Sequence, residues 1–378
     1  MKAQPSGGNQ NLPGIRSVII IAATVAALLT FSAKGVMTRI LVIRFGSLGD
    51  LCLLGWAAAE RRDRTSPGAE TVTLVTKPRF ADLMRGVRGV DEVIAPQDLA
   101  AGDILRLAGI LRGRNFDTIL DAHNILRGHL LLAMMGRRPE KRLAKDTSAR
   151  LWFMRTGRRS PALDRTMGDR FREVMLDPGE TADPVPATMV PPLAAMVPPA
   201  TMRRGILGLA PGAQWDAKRW PPAHFATLVR DFLTRNEAEI RIFLGPREEG
   251  WFSSSPLQDL TADSRVTLVH NRPLPEVAAD LAACRLVVTN DSGLLHLAEA
   301  VGTPVLAFFG PTVREFGYFP RLPHSAVLER DLTCRPCSRN GKRPCHRGDL
   351  ACLDDITPQA AGRRLQAMWS ALEPTESP

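Results

Sequence analysis

The feature that most limits the fold of this chain is a repeated alternation of short apolar segments with stretches of helical spacing. Residues 40–45 and 71–76 are rich in β-branched side chains, and each is followed by a pattern with helical periodicity. Such alternation predicts buried parallel strands joined by helices, which is an open α/β sheet. The same alternation starts again near residue 205. The sequence therefore predicts two α/β halves.

A segment rich in proline and poor in charge separates the two halves and is typical of an extended linker. Two halves also agree with a chain of 378 residues at about 150 residues per domain. The predicted divisions are an N-terminal extension at 1–36, a Rossmann-like domain at 37–180, a Pro-rich linker at 181–204, a second Rossmann-like domain at 205–355, and a C-terminal helix and tail at 356–378. A ligand is expected between the halves, at the carboxyl ends of the strands.

The N-terminal extension contains an uncharged apolar run at 17–33, which has the minimum length for a spanning helix. Three interpretations stay open: a single membrane anchor, a signal sequence, or an upstream segment absent from the working protein. Met37 stands where a domain that begins with its first strand would start. An upstream segment absent from the working protein is therefore as well supported as a membrane anchor. No small-x-small cleavage site is evident, which disfavours a secretory signal.

The charge balance limits the class of partner. Lys and Arg outnumber Asp and Glu by 49 to 39, so the net charge of +10 favours an anionic partner such as a membrane face or a phosphorylated substrate. A single tyrosine and no recognition-helix motif argue against nucleic acid. The Arg-rich stretch at 137–172 fits either contact with phosphates on a lipid-linked sugar or a face exposed to solvent.

The first chemical motif is GSLGD at 46–50, where strand one meets helix one. Glycines at such a turn allow a ligand to approach the backbone, and the free N–H groups of a helix start attract anions. Asp50 is interpreted either as a helix N-cap or as a general base that removes a proton from a hydroxyl. A nicotinamide dinucleotide site would need G-x-G-x-x-G, and only G-x-x-G is present.

The second motif follows the first strand of the C-terminal half and runs through Ala213 and Gln214 to Lys218. Backbone N–H groups together with Lys218 would cradle a diphosphate and neutralise a leaving group. The alternative is a solvated loop before a helix that begins with proline.

The third motif is TNDSGLLHLA at 289–298, a strand end that leads directly into a helix. The amides of Ser292, Gly293 and Leu294 would point at an anion, and Asp291 would accept from sugar hydroxyls. His296 fits either a phosphate contact or a packed structural position.

Two further strand ends in the C-terminal half carry candidate donor contacts. Thr312 follows the strand that ends in FFGPT and fits a phosphate or ribose contact, although an ordinary Gly-Pro turn explains it as well. Glu248 or Glu249, just past another strand, fits a ribose contact or an acidic residue at a helix start.

Cysteine usage is uneven. Cys52 and Cys284 lie in apolar contexts and are predicted to be buried thiols. Four more cysteines crowd into the C-terminal region, at Cys334, Cys337, Cys345 and Cys352. They fit either a tetrahedral zinc site or free thiols, and their spacing lacks paired C-x2-C motifs, so no metal site is predicted.

These blocks together resemble glycosyltransferase family 9, the lipopolysaccharide heptosyltransferase family. The resemblance runs from Met37 to about Ile356, and the blocks occur in the family's order. They read RILVIRFGSLGD, FDTILDAHNILRG, LAPGAQWDAKRWPPAHF, TNDSGLLHLAEAVGTPVLAFFGPT and the LTCRPCS to ITP tail. The block from TNDSG to GPT is the most specific of them.

The resemblance implies a GT-B architecture, in which two Rossmann-like parallel-sheet domains face a central cleft. It implies an enzyme that moves a heptose from ADP-heptose onto a lipopolysaccharide core or related glycan by an inverting, metal-independent transfer without a cofactor. The N-terminal half would bind the acceptor and the C-terminal half the nucleotide sugar. Asp50 is implied as the base, Lys218 at the donor phosphates and Asp291 at the donor sugar.

The complete set of predicted site residues follows from the motifs and the resemblance together. The predicted catalytic residues are Asp50 and Lys218. The predicted donor-binding residues are Gly49, Ala213, Gln214, Glu248, Asp291, Ser292, Gly293, Leu294, His296 and Thr312. The predicted acceptor-binding residues are Ser47, His123, Asn124 and Arg127. The family often has Gln-Gly where this chain has His123-Asn124, so the acceptor is left open.

The expected partners are a nucleotide-sugar donor, a lipid-linked glycan acceptor and the inner-membrane surface, without nucleic acid. The expected location is cytoplasmic and peripheral to the inner membrane, with a possible single N-terminal anchor. Two other functions stay open: a sugar-nucleotide epimerase of the same fold, and a non-catalytic protein that binds sugar nucleotide or lipopolysaccharide.

Overall fold

The computed structural model describes residues 37–98, 100–178, 189–196 and 205–372, and every element below lies in the unit that begins at Thr38. The predicted extension at 1–36 and most of the predicted linker lie outside these residues. Of the linker, residues 189–196 are described and end in one short 3-10 turn at Ala194–Met196. The predicted domain boundaries therefore stay predictions.

The N-terminal half is a five-stranded parallel sheet with the strand order β3-β2-β1-β4-β5. Its central strand β1 is continuously buried from Ile40 to Ile43, because helices cover both faces of a parallel sheet. The strands are β1 (Thr38–Ile43), β2 (Glu70–Val75), β3 (Glu92–Ile94), β4 (Thr118–Asp121) and β5 (Lys141–Arg142). The helices are α1 (Leu48–Arg64), α2 (Pro78–Arg85), α3 (Ala101–Arg112), α4 (Leu126–Met135), α5 (Thr147–Thr156) and α6 (Met167–Met175).

The C-terminal half is a six-stranded parallel sheet with the strand order β11-β10-β9-β6-β7-β8. The strands are β6 (Ile206–Ala210), β7 (Glu239–Phe243), β8 (Val266–Val269), β9 (Leu286–Asn290), β10 (Val305–Phe309) and β11 (Ala326–Glu329). The helices are α7 (Pro222–Leu233), α8 (Glu249–Ser253), α9 (Leu274–Ala283), α10 (Gly293–Ala300), α11 (Ala351–Asp354) and α12 (Pro358–Ala371). The predicted α/β class with two parallel sheets is confirmed.

Each sheet reverses its strand order at one point, between β1 and β4 in the first half and between β6 and β9 in the second. Ligands of open α/β sheets bind in the crevice beyond the carboxyl ends of the strands at such points. The motifs GSLGD and TNDSG follow β1 and β9 directly. The topology therefore places both motifs at the crevices.

The Arg-rich stretch at 137–172 is partly exposed to solvent, as one of its two interpretations expected, and partly buried, which neither expected. Much of it folds into α5 and α6, and three of its arginines, Arg150, Arg170 and Arg172, are buried. Arg172 makes a bidentate ion pair with Glu60 of α1 at 2.8 Å, which ties α6 to α1. Part of the basic excess is thus structural. Among the described helices, none combines the length and the apolar character needed to cross a membrane.

Candidate active site

Asp50 lies at the start of α1, directly beyond the central strand of the first sheet. Ser47 is the N-cap of α1 and Asp50 is its third residue. The Asp50 carboxylate accepts hydrogen bonds from the Ser47 hydroxyl at 2.8 Å and from its backbone N–H at 3.4 Å. The interpretation of Asp50 as the N-cap is therefore wrong in position, because the carboxylate closes a capping box from inside the helix.

Arg44, at the end of the β1 segment, is the main partner of Asp50. Its guanidinium lies 2.5 Å from Asp50 Oδ2, and the same side chain donates to the backbone oxygen of Ala122 at 2.6 Å. The Phe171 ring packs against its face at 5.2 Å. These contacts fix Arg44 in a nearly water-free position, so it holds the Asp50 carboxylate in one orientation.

The pKa of Asp50 is set by two opposing effects. Burial raises it, while the charge of Arg44 and the hydrogen bonds from Ser47 lower it, and the balance leaves the pKa below the ordinary aspartate value of 3.8. Asp50 is therefore ionised at neutral pH. An ionised carboxylate in this position is able to accept a proton.

The C-terminal half also reaches Asp50. Tyr318, the only tyrosine of the chain, donates its hydroxyl to Asp50 Oδ1 at 3.3 Å from the segment after β10. The charge of His296, on α10, acts on the pKa of Asp50. The carboxylate thus has Arg44 and Ser47 on one oxygen and a group from the opposite half on the other.

The two halves meet where α1 crosses α10, and glycines make the close contact possible. A Cβ on Gly49 would lie 2.6 Å from the His296 ring, and a Cβ on Gly293 would lie 3.2 Å from Leu48. Any larger side chain at Gly49 would force the His296 ring or one of the two helices to shift. Gly49 therefore acts in this structure as a contact between the halves, whereas the sequence predicted it as a donor contact.

The predicted catalytic residue Lys218 meets two predicted donor-binding residues, Asp291 and Thr312, beyond the second sheet. Lys218 Nζ lies 2.5 Å from Asp291 Oδ2, and Thr312 donates its hydroxyl to the same oxygen at 2.6 Å. These residues come from the loop after β6 and from the ends of β9 and β10. We call them the donor cluster. It gathers one cation, one carboxylate and one hydroxyl at the strand-order reversal.

The start of α10 adjoins this cluster and carries polar atoms that lack protein partners. Ser292 is the N-cap of α10, and its hydroxyl is buried without a hydrogen bond among the described residues. The Nδ1 atom of His296 is in the same situation. Burial lowers the pKa of His296 to about 4, against the charges of Asp291 and Asp50, which raise it. His296 is therefore neutral at pH 7 and can offer one N–H to an anion.

Glu248 lies at the tip of β7 and reaches back to the turn after β6. It accepts from the Gly245 N–H at 2.7 Å, and its carboxylate occupies the space where a Cβ on Gly212 would be. Asn290, at the end of β9, donates to the Pro211 oxygen at 2.7 Å and so fixes the same turn. The turn next to Glu248 is therefore held from two strands.

Ala213 and Gln214 follow that turn. Ala213 is buried, and its backbone oxygen accepts from Arg219 at 2.9 Å. Gln214 is exposed, and the described contacts include no hydrogen bond from its side chain. The structure therefore brings Ala213 to the site as backbone and leaves Gln214 at its rim.

The predicted acceptor residues do not form one cluster. His123 accepts a hydrogen bond from the Phe45 N–H at 3.2 Å, next to GSLGD. Burial, together with the charges of Arg44 and Lys145, lowers the pKa of His123 to about 3. Asn124 has a left-handed backbone with φ of 52° and uses its side chain on the Leu143 oxygen at 2.9 Å. Arg127 is exposed on α4, and no described contact joins it to Asp50.

Several basic side chains surround the Asp50 side of the cleft. Lys145 stands just before α5, and burial lowers its pKa, as does the charge of Arg44, while Asp121 and Asp50 raise it. The charge of Lys77, just before α2, also lowers the pKa of His123. The charge of Arg339, in the Cys-rich segment at 334–352, also lowers the pKa of Lys145. The surroundings of Asp50 are thus electropositive, which suits an anionic ligand.

The Cys-rich segment supports the donor cluster from outside. Arg335 donates to the Gly310 oxygen at 2.5 Å and to the Thr312 oxygen at 2.9 Å, and Gly341 lies against the Lys218 side chain. Cys52 and Cys284 are buried free thiols, as the sequence predicts. The four remaining cysteines are also free, and within the described part of the chain no three His, Cys, Asp or Glu side chains are arranged to hold a metal.

Sequence reasoning did not find Arg44, Tyr318 or Arg335. Arg44 carried a usable signal, because a lone arginine at the end of an apolar strand needs a buried partner. Tyr318 and Arg335 lie in loops, and only the tertiary fold shows which strand ends they reach. These three residues orient the groups that the motifs identified.

Comparisons with known proteins agree with this arrangement. The profile of glycosyltransferase family 9 (heptosyltransferase) matches residues 104–346. Lipopolysaccharide heptosyltransferase 2 of Salmonella typhimurium is 32% identical over 176 residues, which are 44% of this chain and 47% of that protein. The chain thus spans about half the length of that relative. Lipopolysaccharide heptosyltransferase 1 of Pseudomonas aeruginosa is 25% identical over 381 residues, which cover 89% of this chain and 99% of that protein.

Solved structures share the architecture. ADP-heptose lipopolysaccharide heptosyltransferase II of Escherichia coli superposes with a TM-score of 0.68 at 21% identity, over 89% of this chain and 100% of that one. An Escherichia coli heptosyltransferase with ADP-2-deoxy-2-fluoro heptose superposes with a TM-score of 0.62 at 18% identity, over 87% and 99%. The fold is therefore GT-B. With the family profile matched over more than half of its residues, the chain belongs to glycosyltransferase family 9.

Proposed function

We propose that this protein transfers a heptose from ADP-heptose to a lipopolysaccharide core or related glycan, with inversion and without a metal or cofactor. The observation that carries the proposal is the position of His296. Its ring lies 2.6 Å from where a Cβ on Gly49 would be, next to Asp50 on α1, and its helix α10 begins at Ser292, which follows Asp291 of the donor cluster. The candidate base and the donor cluster therefore share one cleft.

The second half has the chemistry of a diphosphate site. Lys218 supplies a cation, and the N-terminus of α10 supplies backbone N–H groups from Gly293 and Leu294. The unpartnered Ser292 hydroxyl and His296 Nδ1 add hydrogen-bonding capacity at the same place. Glu248, between the tips of β6 and β7, suits ribose hydroxyls. Structural neighbours of this fold are known with ADP and with an ADP-heptose analogue.

In the proposed reaction, Asp50 takes the proton of the acceptor hydroxyl while that oxygen attacks the anomeric carbon of the donor sugar. The bond from the anomeric carbon to the diphosphate oxygen breaks, and ADP leaves with the electron pair. Attack on the face opposite the leaving group inverts the configuration. Lys218 and the α10 N-terminus stabilise the departing charge, which is the role that a metal ion would otherwise have.

The first half suits an anionic acceptor. The cleft around Asp50 is lined by Arg44, Lys77 and Lys145, and Ser47 and His123 stand beside the carboxylate. We propose Ser47, His123, Asn124 and Arg127 as acceptor contacts. The acceptor is proposed to be lipid-linked, so that the enzyme works at the cytoplasmic face of the inner membrane.

The nucleotide preference is the direct test of the donor. The full chain would be titrated with ADP, UDP and GDP by calorimetry. Selective binding of ADP is expected. A preference for UDP or GDP would keep the fold and replace the donor sugar, and the absence of binding to all three would favour the non-catalytic alternative.

The base is tested with Asp50→Asn, which keeps a capping oxygen for Ser47 but has little basicity. Turnover is expected to fall by about 10²–10⁴-fold while ADP binding stays near that of the parent. Retention of most activity would remove Asp50 from the role of base. Product analysis of the parent enzyme separates the remaining alternative, because an epimerase releases an altered free sugar nucleotide and a transferase releases ADP.

A further inference from the structure

Helix α5 is fixed to the rim of the catalytic cleft by its inner face. Arg150 is buried, donates to the Phe316 oxygen at 3.1 Å, and lies over the rings of Phe316 and Tyr318 at 5.7 and 5.8 Å. Tyr318 in turn contacts Asp50. The position of α5 is therefore set by the same segment that reaches the candidate base.

The outer face of α5 is apolar where a soluble helix is usually polar. Leu151 and Trp152 are adjacent and leave 49% and 52% of their surface exposed, and Arg155 follows on the same face one turn later. Arg158 lies just beyond the helix end. Among the described residues, the side chains of Arg155 and Arg158 form no ion pair. An exposed leucine–tryptophan pair thus stands beside two uncompensated positive charges.

This combination matches the interface of an anionic bilayer. Tryptophan is enriched at the headgroup level, where its ring is in contact with acyl chains and its N–H with water. Basic residues beside it are attracted by anionic headgroups at about 1 kcal/mol each, which corresponds to roughly fivefold in affinity. An acidic peptide or protein partner would use the arginines but would leave the exposed tryptophan without an apolar counterpart.

The same segment also connects this face to the cleft. Lys145, just before α5, is close enough to Asp50 for the two charges to influence each other. Helix α5 has ten residues and so spans about 15 Å.

We propose that the outer face of α5, formed by Leu151, Trp152, Arg155 and Arg158, docks on an anionic lipid bilayer beside the entrance for the acceptor. The biological role of this docking rests on the proposed function, in which the acceptor is lipid-linked. Docking itself is a property that can be measured without any transfer reaction.

The test is flotation of the full chain with vesicles of phosphatidylcholine, with and without phosphatidylglycerol. The parent is expected to float with the anionic vesicles and to be released at high salt, because screening weakens the charge contribution. Leu151→Ser with Trp152→Ser, and separately Arg155→Glu with Arg158→Glu, are each expected to lower the bound fraction by about tenfold or more. ADP binding by calorimetry is expected to stay unchanged in both variants, which shows that they are folded.

Matched controls separate this face from general surface properties. Leu105→Ser removes a leucine that is 60% exposed on α3, and Arg235→Glu reverses an exposed charge in the second half. Both controls are expected to float like the parent. If the α5 variants also float like the parent, the proposal is wrong, and the contact with lipid then belongs to another part of the chain such as the apolar run at 17–33. Loss of ADP selectivity in the parent would contradict the proposed function and leave the flotation result intact.

Discussion

At the scale of single residues, the candidate base depends on its neighbours for its ionisation. Burial alone would raise the pKa of Asp50, and Arg44 and Ser47 reverse that effect. A carboxylate whose pKa is lowered stays in the basic form as the pH falls and loses it only below that lowered value. The acid limb of the activity profile should therefore report on Arg44.

We predict that Arg44→Met moves the acid limb of kcat/KM to higher pH. The substitution removes the charge that lowers the pKa of Asp50 and leaves the burial that raises it. The measurement is the pH dependence of kcat/KM. The control is Arg62→Met, which changes another arginine near Asp50 in sequence, on α1 itself, and removes its ion pair with Asp91. An acid limb that does not move in Arg44→Met would show that Asp50 does not control it.

We predict that Tyr318→Phe lowers kcat by about 2–10-fold, because one hydrogen bond to Asp50 contributes roughly 0.5–1.5 kcal/mol. The ring and its packing stay, so the midpoint of thermal unfolding should change little. A purely structural role would give the reverse pattern, with a lower unfolding midpoint and an unchanged kcat and pH profile.

At the scale of elements, the strands were predictable and several helices were not. Strands β1, β6, β9 and β10 are buried on both faces, so their sequences are continuous apolar runs that stand out without any other information. Helices α5 and α6 lie in a stretch dense in arginine, which conceals helical periodicity. Arg150 of α5 and Arg172 of α6 are buried against an aromatic ring and in an ion pair, which only the folded chain supplies.

At the contact between α1 and α10, helix propensity favours alanine at position 49, whereas close packing favours glycine. Gly49→Ala should improve the intrinsic propensity of α1 by about 1 kcal/mol, but its Cβ would overlap the His296 ring. We predict a net loss of about 1–3 kcal/mol of stability together with lower activity. Thermal unfolding and kcat are the measurements.

The matched control is Gly109→Ala on α3, where no atom lies within 4 Å of the added Cβ. That variant should gain roughly 0.5–1 kcal/mol of stability and keep its activity. Equal gains at both positions would show that the two halves do not approach as closely in solution as the Gly49 geometry requires.

The ion pair between Glu60 and Arg172 joins α1 to α6 in a nearly dry position. We predict that Glu60→Gln lowers the free energy of unfolding by about 3–5 kcal/mol, because it removes the carboxylate charge that makes the bidentate ion pair with the buried Arg172 guanidinium. The double variant Glu60→Met with Arg172→Met should recover most of that loss. Denaturant unfolding measures both, and a double variant no more stable than Glu60→Gln would assign the effect to packing.

At the scale of the whole molecule, the two parallel-sheet halves were predictable from the sequence, and the contacts between them were not. The motifs predicted a catalytic carboxylate on the first half and a phosphate-binding loop on the second. The family profile matches residues 104–346, which include the second motif but not Asp50. Distances between residues that are far apart in sequence, such as Tyr318 and Asp50, leave no local pattern. The predicted acceptor residues could not be grouped correctly from sequence for the same reason, since no described contact joins Arg127 to Asp50.

The glycines at the crossing of α1 and α10 also have a meaning outside this chain. Neither Gly49 nor Gly293 is required there for a turn, since both lie within helices, so their lack of a side chain serves the approach of the two halves. A related sequence with glycine at both corresponding positions can bring its halves as near as this one does. A sequence with a larger residue at either position needs a different neighbour at His296 or Leu48, or a wider separation of the two helices. The residues at these two positions therefore report how closely the helices of a relative can pack.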